Sequence, residues 1–297
     1  MRLPEFHSVR GQHWSAPIWL LAILIVLACV PRFLAAQPTD RIVSVGGSIT
    51  EIIYALGEQD RLVARDTTSK FPVAALDLPD VGYIRNLASE GVLSVQPSMI
   101  ITEDGAGPPE TIEVLQGAAI PMITIPDAYS HAGIVAKIIA VGDALGVPEK
   151  ARDLAQQVDA DLNAVRASVE TTSEKSKTVL FILSTNGGRI TASGTSTAAD
   201  GIIQMAGGRN AITSFEGYKQ LTAEAIAAAA PDVILMMDRS GDHSATADDL
   251  FKMPALITTP AAANRALVQM NGLLLLGFGP RTPQAAEQLN TAIYGAG

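Results

Sequence analysis

The sequence predicts an α/β protein of two similar lobes with mostly parallel sheets, joined by one long backbone helix. Three observations lead to this prediction. A segment occurs twice in the chain, strands alternate with helices around each copy, and an amphipathic helical pattern over residues 148–169 separates the two halves. Alternating strands and helices are typical of parallel sheets covered by helices.

The repeated segment defines the two halves. Each copy follows a Gly-Tyr pair and has the same spacing from its leucine onward. The first copy contains Leu87, Glu90, Pro97 and Ile100, and the second contains Leu221, Glu224, Pro231 and Ile234. A match at fixed offsets indicates repeated structural units. Two similar lobes facing one another favour a cleft between them, in a protein that holds a ligand.

The first lobe is predicted over residues 41–145. A β-rich run at 41–45 is followed by a helix, for which Ser48 and Glu51 have capping-box spacing. Further strands are expected at Leu62–Ala64, Met99–Ile101 and Met122–Ile125, with helices between them. This alternation predicts successive strand–helix units on one sheet.

A connecting helix is predicted within residues 146–176. Pro148 suits the first turn of a helix, and apolar residues recur at helical spacing, namely Leu154, Val158, Leu162, Val165 and Val169. A coiled-coil seam is the alternative, but two heptads without neighbours are too few for one. A rigid connector between the lobes therefore fits better.

The second lobe is predicted over residues 177–297. Its expected elements are a strand at Val179–Leu183, a helix capped near Thr197, a strand at Val233–Met236, a last strand at Leu273–Leu276 and a final helix opening at Pro283. It therefore repeats the first lobe in outline.

Residues 1–36 have the order of a secretory signal. Arg2 and Arg10 precede an apolar run, and small residues follow at Ala35 and Ala36. An uncleaved membrane anchor is one alternative, although the apolar run is shorter than the roughly 20 residues that span a bilayer. A lipid anchor at Cys29, the sole cysteine, is another. We expect an exported, periplasmic protein without a disulfide.

The mature chain is acidic. The signal contains three arginines and one glutamate, so 18 basic and 29 acidic residues remain. Nucleic-acid binding depends largely on cations that neutralise phosphates, so an acidic chain argues against a nucleic-acid partner.

The two repeated glutamates, Glu90 and Glu224, are each predicted at the start of a short helix, with Ser89 and Thr222 as caps. Acidic residues stabilise the first turn of a helix, which explains either copy by itself. Equivalent carboxylates on two lobes would also suit a partner with two basic patches. Residue chemistry alone leaves capping and docking open.

Tyr83 and Arg85 are the candidate ligand-binding pair. If the segment is extended, residues two apart share a face, so the phenol and the guanidinium can meet. A nearby arginine favours the phenolate, and tyrosine is an accepted axial ligand of haem iron. A packed tyrosine with a satisfied hydroxyl is the alternative. Tyr218, followed by Lys219, is read that way in the second half.

Catalytic and metal-binding residues are sparse. Only His131 and His243 remain after the signal, and they are isolated from one another in the sequence. A zinc or manganese site is therefore not expected. An exported hydrolase would need one of these histidines as its base, and no Gly-x-Ser-x-Gly motif supplies a nucleophile.

Five stretches together resemble haemin-binding periplasmic proteins of bacterial haem ABC importers, which belong with vitamin B12 and siderophore binding proteins. They are Ser44–Glu51, Asp80–Arg85, Glu90–Ile101, Thr197–Asp200 and Gly277–Arg281. The resemblance covers essentially all of 41–296. It implies a helical-backbone periplasmic binding protein without catalytic activity, in which two α/β lobes flank a cleft.

The resemblance also implies roles for individual residues. Tyr83 would be the haem iron ligand, and hence the metal-binding residue, with Arg85 as its partner. Glu90 and Glu224 would dock on arginines of the inner-membrane permease. Gly47, Arg65 and Arg281 are expected to line the cleft. Haem would be the transported ligand, with an outer-membrane haem receptor system as a further partner. A ferric siderophore or cobalamin is the alternative ligand.

Overall fold

The fold is built on two main sheets, one from each half of the chain. The computed structural model describes residues 40–171, 176–238 and 246–295. The predicted signal, Cys29 and His243 lie outside these residues. Within the described ranges, no helix combines the length and the apolar character needed to cross a membrane.

The first lobe contains a parallel sheet and a separate hairpin. Its strands are β1 (Ile42–Val45), β2 (Leu62–Arg65), β3 (Gly82–Tyr83), β4 (Asn86–Leu87), β5 (Met99–Glu103) and β6 (Met122–Ile125). The sheet has the order β2-β1-β5-β6, and β3 pairs only with β4. Its helices are α1 (Gly47–Ala55), α2 (Ser89–Ser94), α3 (Pro109–Gly117) and α4 (His131–Leu145). The hairpin was not predicted.

The connecting helix α5 (Pro148–Thr171) begins at the predicted proline. Its 24 residues give a length of about 36 Å at 1.5 Å per residue. Val158 and Leu162 of the predicted stripe are buried, and the helix packs against α4. The predicted long backbone helix is confirmed.

The second lobe contains a mixed sheet. Its strands are β7 (Thr178–Ser184), β8 (Ile190–Ser193), β9 (Arg209–Asn210), β10 (Tyr218–Leu221), β11 (Val233–Asp238) and β12 (Leu267–Asn271). The order is β10-β8-β7-β11-β12, with β9 also on β7. Strands β7, β9, β11 and β12 pair in parallel, whereas β8 is antiparallel to both its neighbours.

The helices of the second lobe are α6 (Ala198–Met205), α7 (Ala223–Ala229), α8 (Ala247–Leu250), α9 (Pro260–Ala263), α10 (Gly272–Leu276) and α11 (Thr282–Tyr294). Thr197 caps α6 as expected, because its side chain accepts a hydrogen bond from the Asp200 amide. Helix α11 packs against both α5 and α6 and so links the second lobe to the connector.

One hydrophobic core runs beneath both lobes. It contains Ile49 and Ile52 of α1, Leu162 of α5, and Val179 and Phe181 of β7. A smaller apolar cluster lies within each lobe. Burial of apolar surface is the main favourable term in folding, so the shared core stabilises the arrangement of the lobes as well as each lobe itself.

Two local predictions were wrong. Leu273–Leu276 lies in helix α10, because the Asn271 side chain caps that helix by accepting a hydrogen bond from the Leu274 amide. A short apolar run does not distinguish a strand from a buried helix by periodicity alone. Ser48 is not a helix cap either: α1 begins at Gly47, and the Ser48 hydroxyl donates to Glu103.

Candidate ligand-binding site

Tyr83 lies on a tight hairpin in the first lobe. Gly82 pairs with Leu87 and Tyr83 with Asn86, which leaves Ile84 and Arg85 as the two residues of the turn. The expectation of an extended segment that places Tyr83 and Arg85 on one face was therefore wrong. A turn intervenes, and Gly82, the first residue of the hairpin, has a φ of +105°. Glycine tolerates this backbone conformation.

Gly46, where the chain enters α1, also has a positive φ, of +116°. Both angles fall in the region that favours glycine.

Two buried side chains and two backbone hydrogen bonds hold the hairpin on the first lobe, whereas its polar side chains are exposed. Ile84 and Leu87 are buried in the first lobe. The Leu87 amide donates to the Gly107 carbonyl at 2.8 Å, and the Gly107 amide donates to the Ile84 carbonyl at 2.9 Å. Tyr83 remains 48% exposed. The fold therefore holds the hairpin backbone and presents the Tyr83 phenol to solvent.

Arg85 brings positive charge close to two further tyrosines. Its Nη1 donates to the Gly105 carbonyl at 3.3 Å, and within the described residues it makes no ion pair. Burial raises the pKa of Tyr129 and of Tyr218, and the nearby charge of Arg85 opposes both shifts. Tyr218 belongs to the second lobe, so Arg85 lies where the two lobes approach one another.

Tyr129 and Tyr218 are held in place by other groups. Burial, together with the charge and hydrogen bond of Asp127, raises the pKa of Tyr129 to about 12. Its ring packs edge-to-face on Phe278, with 5.3 Å between ring centroids. Burial also raises the pKa of Tyr218, although hydrogen bonds with Thr197 and Ala199 lower it in part. Both phenols favour the neutral form.

Tyr83 differs from these two phenols. Among the residues that the structure describes, its hydroxyl makes no hydrogen bond, whereas Tyr129 and Tyr218 have partners. A ligand that approaches Tyr83 therefore displaces only solvent from the phenol.

The two other predicted lining arginines are bound to carboxylates. Arg65 is buried, and its Nη1 lies 2.5 Å from Asp80 Oδ2. Arg281 Nη2 lies 2.8 Å from Glu51 Oε2, and its guanidinium carbon is 3.5 Å from the centre of the Phe71 ring. Their role in lining a cleft stays a prediction, but their charges already have partners.

Gly47 lies at a close contact between the lobes. A Cβ at this position would approach Leu273 Cδ1 to 2.4 Å and the Thr68 carbonyl oxygen to 2.8 Å. Both distances are too short for a side chain, so the glycine permits this approach. Its role as a lining residue stays a prediction.

A buried charge cluster beside this contact was missed by the sequence reasoning. Lys137 Nζ lies 2.9 Å from Glu103 Oε1, 2.5 Å from Asp127 Oδ1 and 3.4 Å from the Gly277 carbonyl of the second lobe. Burial raises the pKa of Glu103, and the charge of Lys137 opposes that shift. Lys137 shares the buried face of α4 with Ile134 and Ile138. The sequence feature that could have indicated this cluster is a single lysine on the apolar face of a predicted helix.

His131 has a structural partner. Its Nε2 lies 2.7 Å from Asp159 Oδ1, which joins the start of α4 to α5. No group of three or more His, Cys, Asp or Glu residues could hold a metal ion within the described part of the chain.

Glu90 and Glu224 are both exposed in the first turns of α2 and α7. Thr222 caps α7, since its side chain accepts a hydrogen bond from the Ala225 amide at 3.2 Å. Ser89 does not cap α2, because it is the first helical residue and Ala88 precedes it. Hydrogen bonds from its own amide and from Thr222 lower the pKa of Glu224.

Comparison with known proteins identifies the family. The model of the periplasmic binding protein family matches residues 42–272. The chain belongs to this family. Its members are binding proteins, so the predicted absence of enzymatic activity agrees with the family, and the hydrolase alternative has no support.

Solved structures and curated relatives give closer likenesses. The haem-binding protein RhuT from Roseiflexus sp. RS-1, in apo form, is 38% identical, with a TM-score of 0.82, and the match covers 86% of this chain and 98% of RhuT. BhuT in complex with two haems is also 38% identical, with a TM-score of 0.81 and coverage of 86% and 97%. A vitamin B12-binding protein of Yersinia pseudotuberculosis is 26% identical, over 91% of this chain and 90% of its own length.

Proposed function

We propose that this protein binds haem between its lobes through Tyr83 and delivers it to an ABC importer. The observation that carries the proposal is the exposed Tyr83 phenol, which has no hydrogen-bond partner among the described residues and lies two positions from Arg85. The likeness to haem-binding RhuT and BhuT supports haem as the ligand class.

Tyr83 supplies the chemistry that ferric haem requires. A phenolate is an anionic oxygen donor, and tyrosine serves as an axial ligand of haem iron in other proteins. Binding to the ferric ion replaces the phenolic proton, so the metal itself stabilises the phenolate. A phenol that already donates to a protein acceptor would have to give up that bond first.

Arg85 supplies the charge that the haem propionates require. Its guanidinium has no carboxylate partner within the described residues and contacts only the Gly105 carbonyl. Arginine binds carboxylates through two parallel hydrogen bonds, which fix orientation as well as charge. We therefore assign one propionate, or the Tyr83 phenolate, to Arg85.

Tyr129 and Tyr218 fit less well as iron ligands. Their pKa values are raised, and each hydroxyl has a protein partner. To bind iron, either phenol would have to lose a tightly held proton and break its hydrogen bond to the protein. We assign these two side chains to the walls of the haem site, where their rings offer apolar surface.

A ferric siderophore or cobalamin is the second candidate ligand, and the vitamin B12-binding relative supports cobalamin. Anionic siderophores are often bound by several arginines. Arg65 and Arg281 are ion-paired in this chain, which leaves Arg85 as the available arginine of the three. This arrangement favours haem over an anionic chelate.

Delivery requires contact with the importer. We assign Glu90 and Glu224 to docking on arginines of the inner-membrane permease, since both are exposed in equivalent helices of the two lobes. The protein would act in the periplasm after export, with a lipid anchor at Cys29 as the alternative to a free mature chain. An outer-membrane haem receptor system would supply the ligand.

The ligand class is tested by direct titration. Mature protein without residues 1–36 is titrated with haemin, cyanocobalamin and a ferric hydroxamate siderophore, and binding is followed by intrinsic fluorescence and visible absorption. We expect saturable binding of haemin at least 100-fold tighter than that of the other two ligands, roughly 2.7 kcal/mol in binding free energy. Tighter binding of cobalamin or the siderophore would overturn the assignment of haem.

A further inference from the structure

An ion pair at the end of β2 is connected by a hydrogen bond to the hairpin that contains Tyr83. Arg65, the last residue of the strand, places Nη1 2.5 Å from Asp80 Oδ2. The other carboxylate oxygen, Asp80 Oδ1, accepts a hydrogen bond from the Gly82 amide at 2.9 Å. One carboxylate thus connects the edge of the sheet to the first residue of β3.

Backbone hydrogen bonds reinforce this connection. The Arg65 amide donates to the Pro79 carbonyl at 2.9 Å, and the Val81 amide donates to the Arg65 carbonyl at 3.0 Å. The Thr67 amide donates to the Gly82 carbonyl, also at 2.9 Å. Residues 79–82 therefore follow the end of β2 as a short extension of the sheet, directly before Tyr83.

The Arg65 side chain depends on Asp80. Arg65 is only 8% exposed, and its Nε is buried without a hydrogen-bond partner among the described residues. Its Nη1 also donates to the Asp66 carbonyl at 3.1 Å, which turns the guanidinium toward Asp80. Loss of the Asp80 charge would leave a buried cation without a counterion, which is unfavourable.

We propose that Asp80 and Arg65 are positioning residues, which hold the hairpin so that the Tyr83 phenol meets the haem iron in one orientation. The inference rests on the proposed role of Tyr83 as iron ligand. Groups that orient a metal ligand commonly change metal affinity by roughly 10-fold to 100-fold when they are replaced. Asp80 acts on Tyr83 through the Gly82 backbone.

The chain provides a matched control at the opposite end of β2. Arg61, just before the strand, pairs with Asp40 and Glu58, so an arginine–aspartate pair also lies at that end. Asp40→Asn removes the same charge from the same lobe without a connection to the hairpin. Since Arg61 keeps Glu58, the effect of Asp40→Asn measures the cost of removing one aspartate charge from an arginine in this lobe.

The experiment compares haemin binding by Asp80→Asn and Asp40→Asn in the full mature chain. We expect Asp80→Asn to weaken haemin binding at least tenfold and to broaden the visible bands of the ferric complex. Asp40→Asn should bind haemin as the unmodified protein does. Equal haemin affinity and equal spectra for the two variants would overturn the inference.

Two further variants show whether weaker haemin binding by Asp80→Asn comes from loss of positioning, from misfolding or from an incorrect proposed function. Thr67→Val removes only the hydroxyl that donates to Asp80 Oδ1 at 3.1 Å, from an exposed residue, and should weaken haemin binding in the same direction. An unchanged affinity for Thr67→Val together with a misfolded Asp80→Asn would also count against the inference. Tyr83→Phe tests the ligand itself, so an unchanged haemin spectrum in that variant would refute the proposed function instead.

Discussion

Lys137 Nζ lies 2.9 Å from Glu103 Oε1, and the lysine side chain is fully buried. The same ammonium contacts Asp127 and the Gly277 carbonyl, so one buried cation joins groups from both lobes. Burial of charges is costly unless they are paired and hydrogen-bonded. The cluster therefore stabilises one arrangement of the lobes as long as all its members are present.

Replacement of Lys137 by methionine should destabilise the protein strongly. Glu103 and Asp127 would lose their buried counterion, and breaking such a pair costs about 3–5 kcal/mol. Urea unfolding at pH 7 measures the change. Lys150→Met is the control, because Lys150 pairs with Glu58 at the surface and should cost less than about 1 kcal/mol. Equal losses would contradict the structural role of Lys137.

The defect of Lys137→Met should depend on pH. Burial raises the pKa of Glu103 and Lys137 opposes that shift, so the variant should have a still higher Glu103 pKa in the folded state. A carboxyl with a raised folded pKa contributes stability below its unfolded pKa and loses it as pH rises. The difference in unfolding free energy between Lys137→Met and the unmodified protein should therefore become smaller from pH 7 toward pH 5. A difference that stays constant would argue against ionised carboxylates at this site.

Arg85 and Arg281 should differ in their effect on haemin binding. Arg281 is bound to Glu51, whereas Arg85 is available to a propionate. We expect Arg85→Gln to weaken haemin binding at least tenfold, since hydrogen bonds to charged groups contribute about 1.5–3 kcal/mol. Arg281→Gln should lower the melting temperature and leave haemin affinity within about threefold. The opposite order of affinities would show that Arg281 contacts the ligand.

Tyr129 should be the last tyrosine to ionise. Burial and Asp127 raise its pKa to about 12, so the folded protein holds that proton more tightly than the unfolded chain. Its stability contribution is present below pH 10 and is lost between pH 10 and about 12. Ultraviolet titration of the five tyrosines should lose its highest transition in Tyr129→Phe. Loss of an earlier transition would refute this assignment.

The docking glutamates should affect transport without affecting haemin binding. The double variant Glu90→Ala with Glu224→Ala removes exposed carboxylates that have no contact with the candidate site, so haemin affinity should be unchanged. Haem transfer to the cognate importer in proteoliposomes should fall at least tenfold. Glu110→Ala is the control, because Glu110 is also an exposed first-turn glutamate but lies outside the repeat. Weakened haemin binding would indicate a structural role instead.

The elements of regular structure were largely predictable from local pattern. The strand at Met122–Ile125, the helix start at Pro148 and the Thr197 cap each depend on neighbouring residues, and all three were confirmed. The hairpin of β3 and β4 was not predicted, because each of its strands has only two residues, too few to show an alternating pattern of apolar and polar residues.

Contacts between distant residues were not predictable in the same way. Ser48 and Glu51 have the spacing of a helix cap, yet Ser48 binds Glu103 and Glu51 binds Arg281. The family resemblance implies that Arg65 and Arg281 line a cleft, and that role stays a prediction, but their ion pairs were not predicted. Their carboxylate partners, Asp80 and Glu51, become neighbours only when the chain is folded.

The visible spectrum of the haemin complex reports directly on whether Tyr83 is the iron ligand. Tyr83→Phe and Tyr218→Phe are compared with the unmodified mature protein, since each variant removes one phenol from one lobe. We predict a high-spin ferric tyrosinate spectrum that is lost in Tyr83→Phe and retained in Tyr218→Phe. Retention in Tyr83→Phe with loss in Tyr218→Phe would contradict the account and assign the iron to the second lobe.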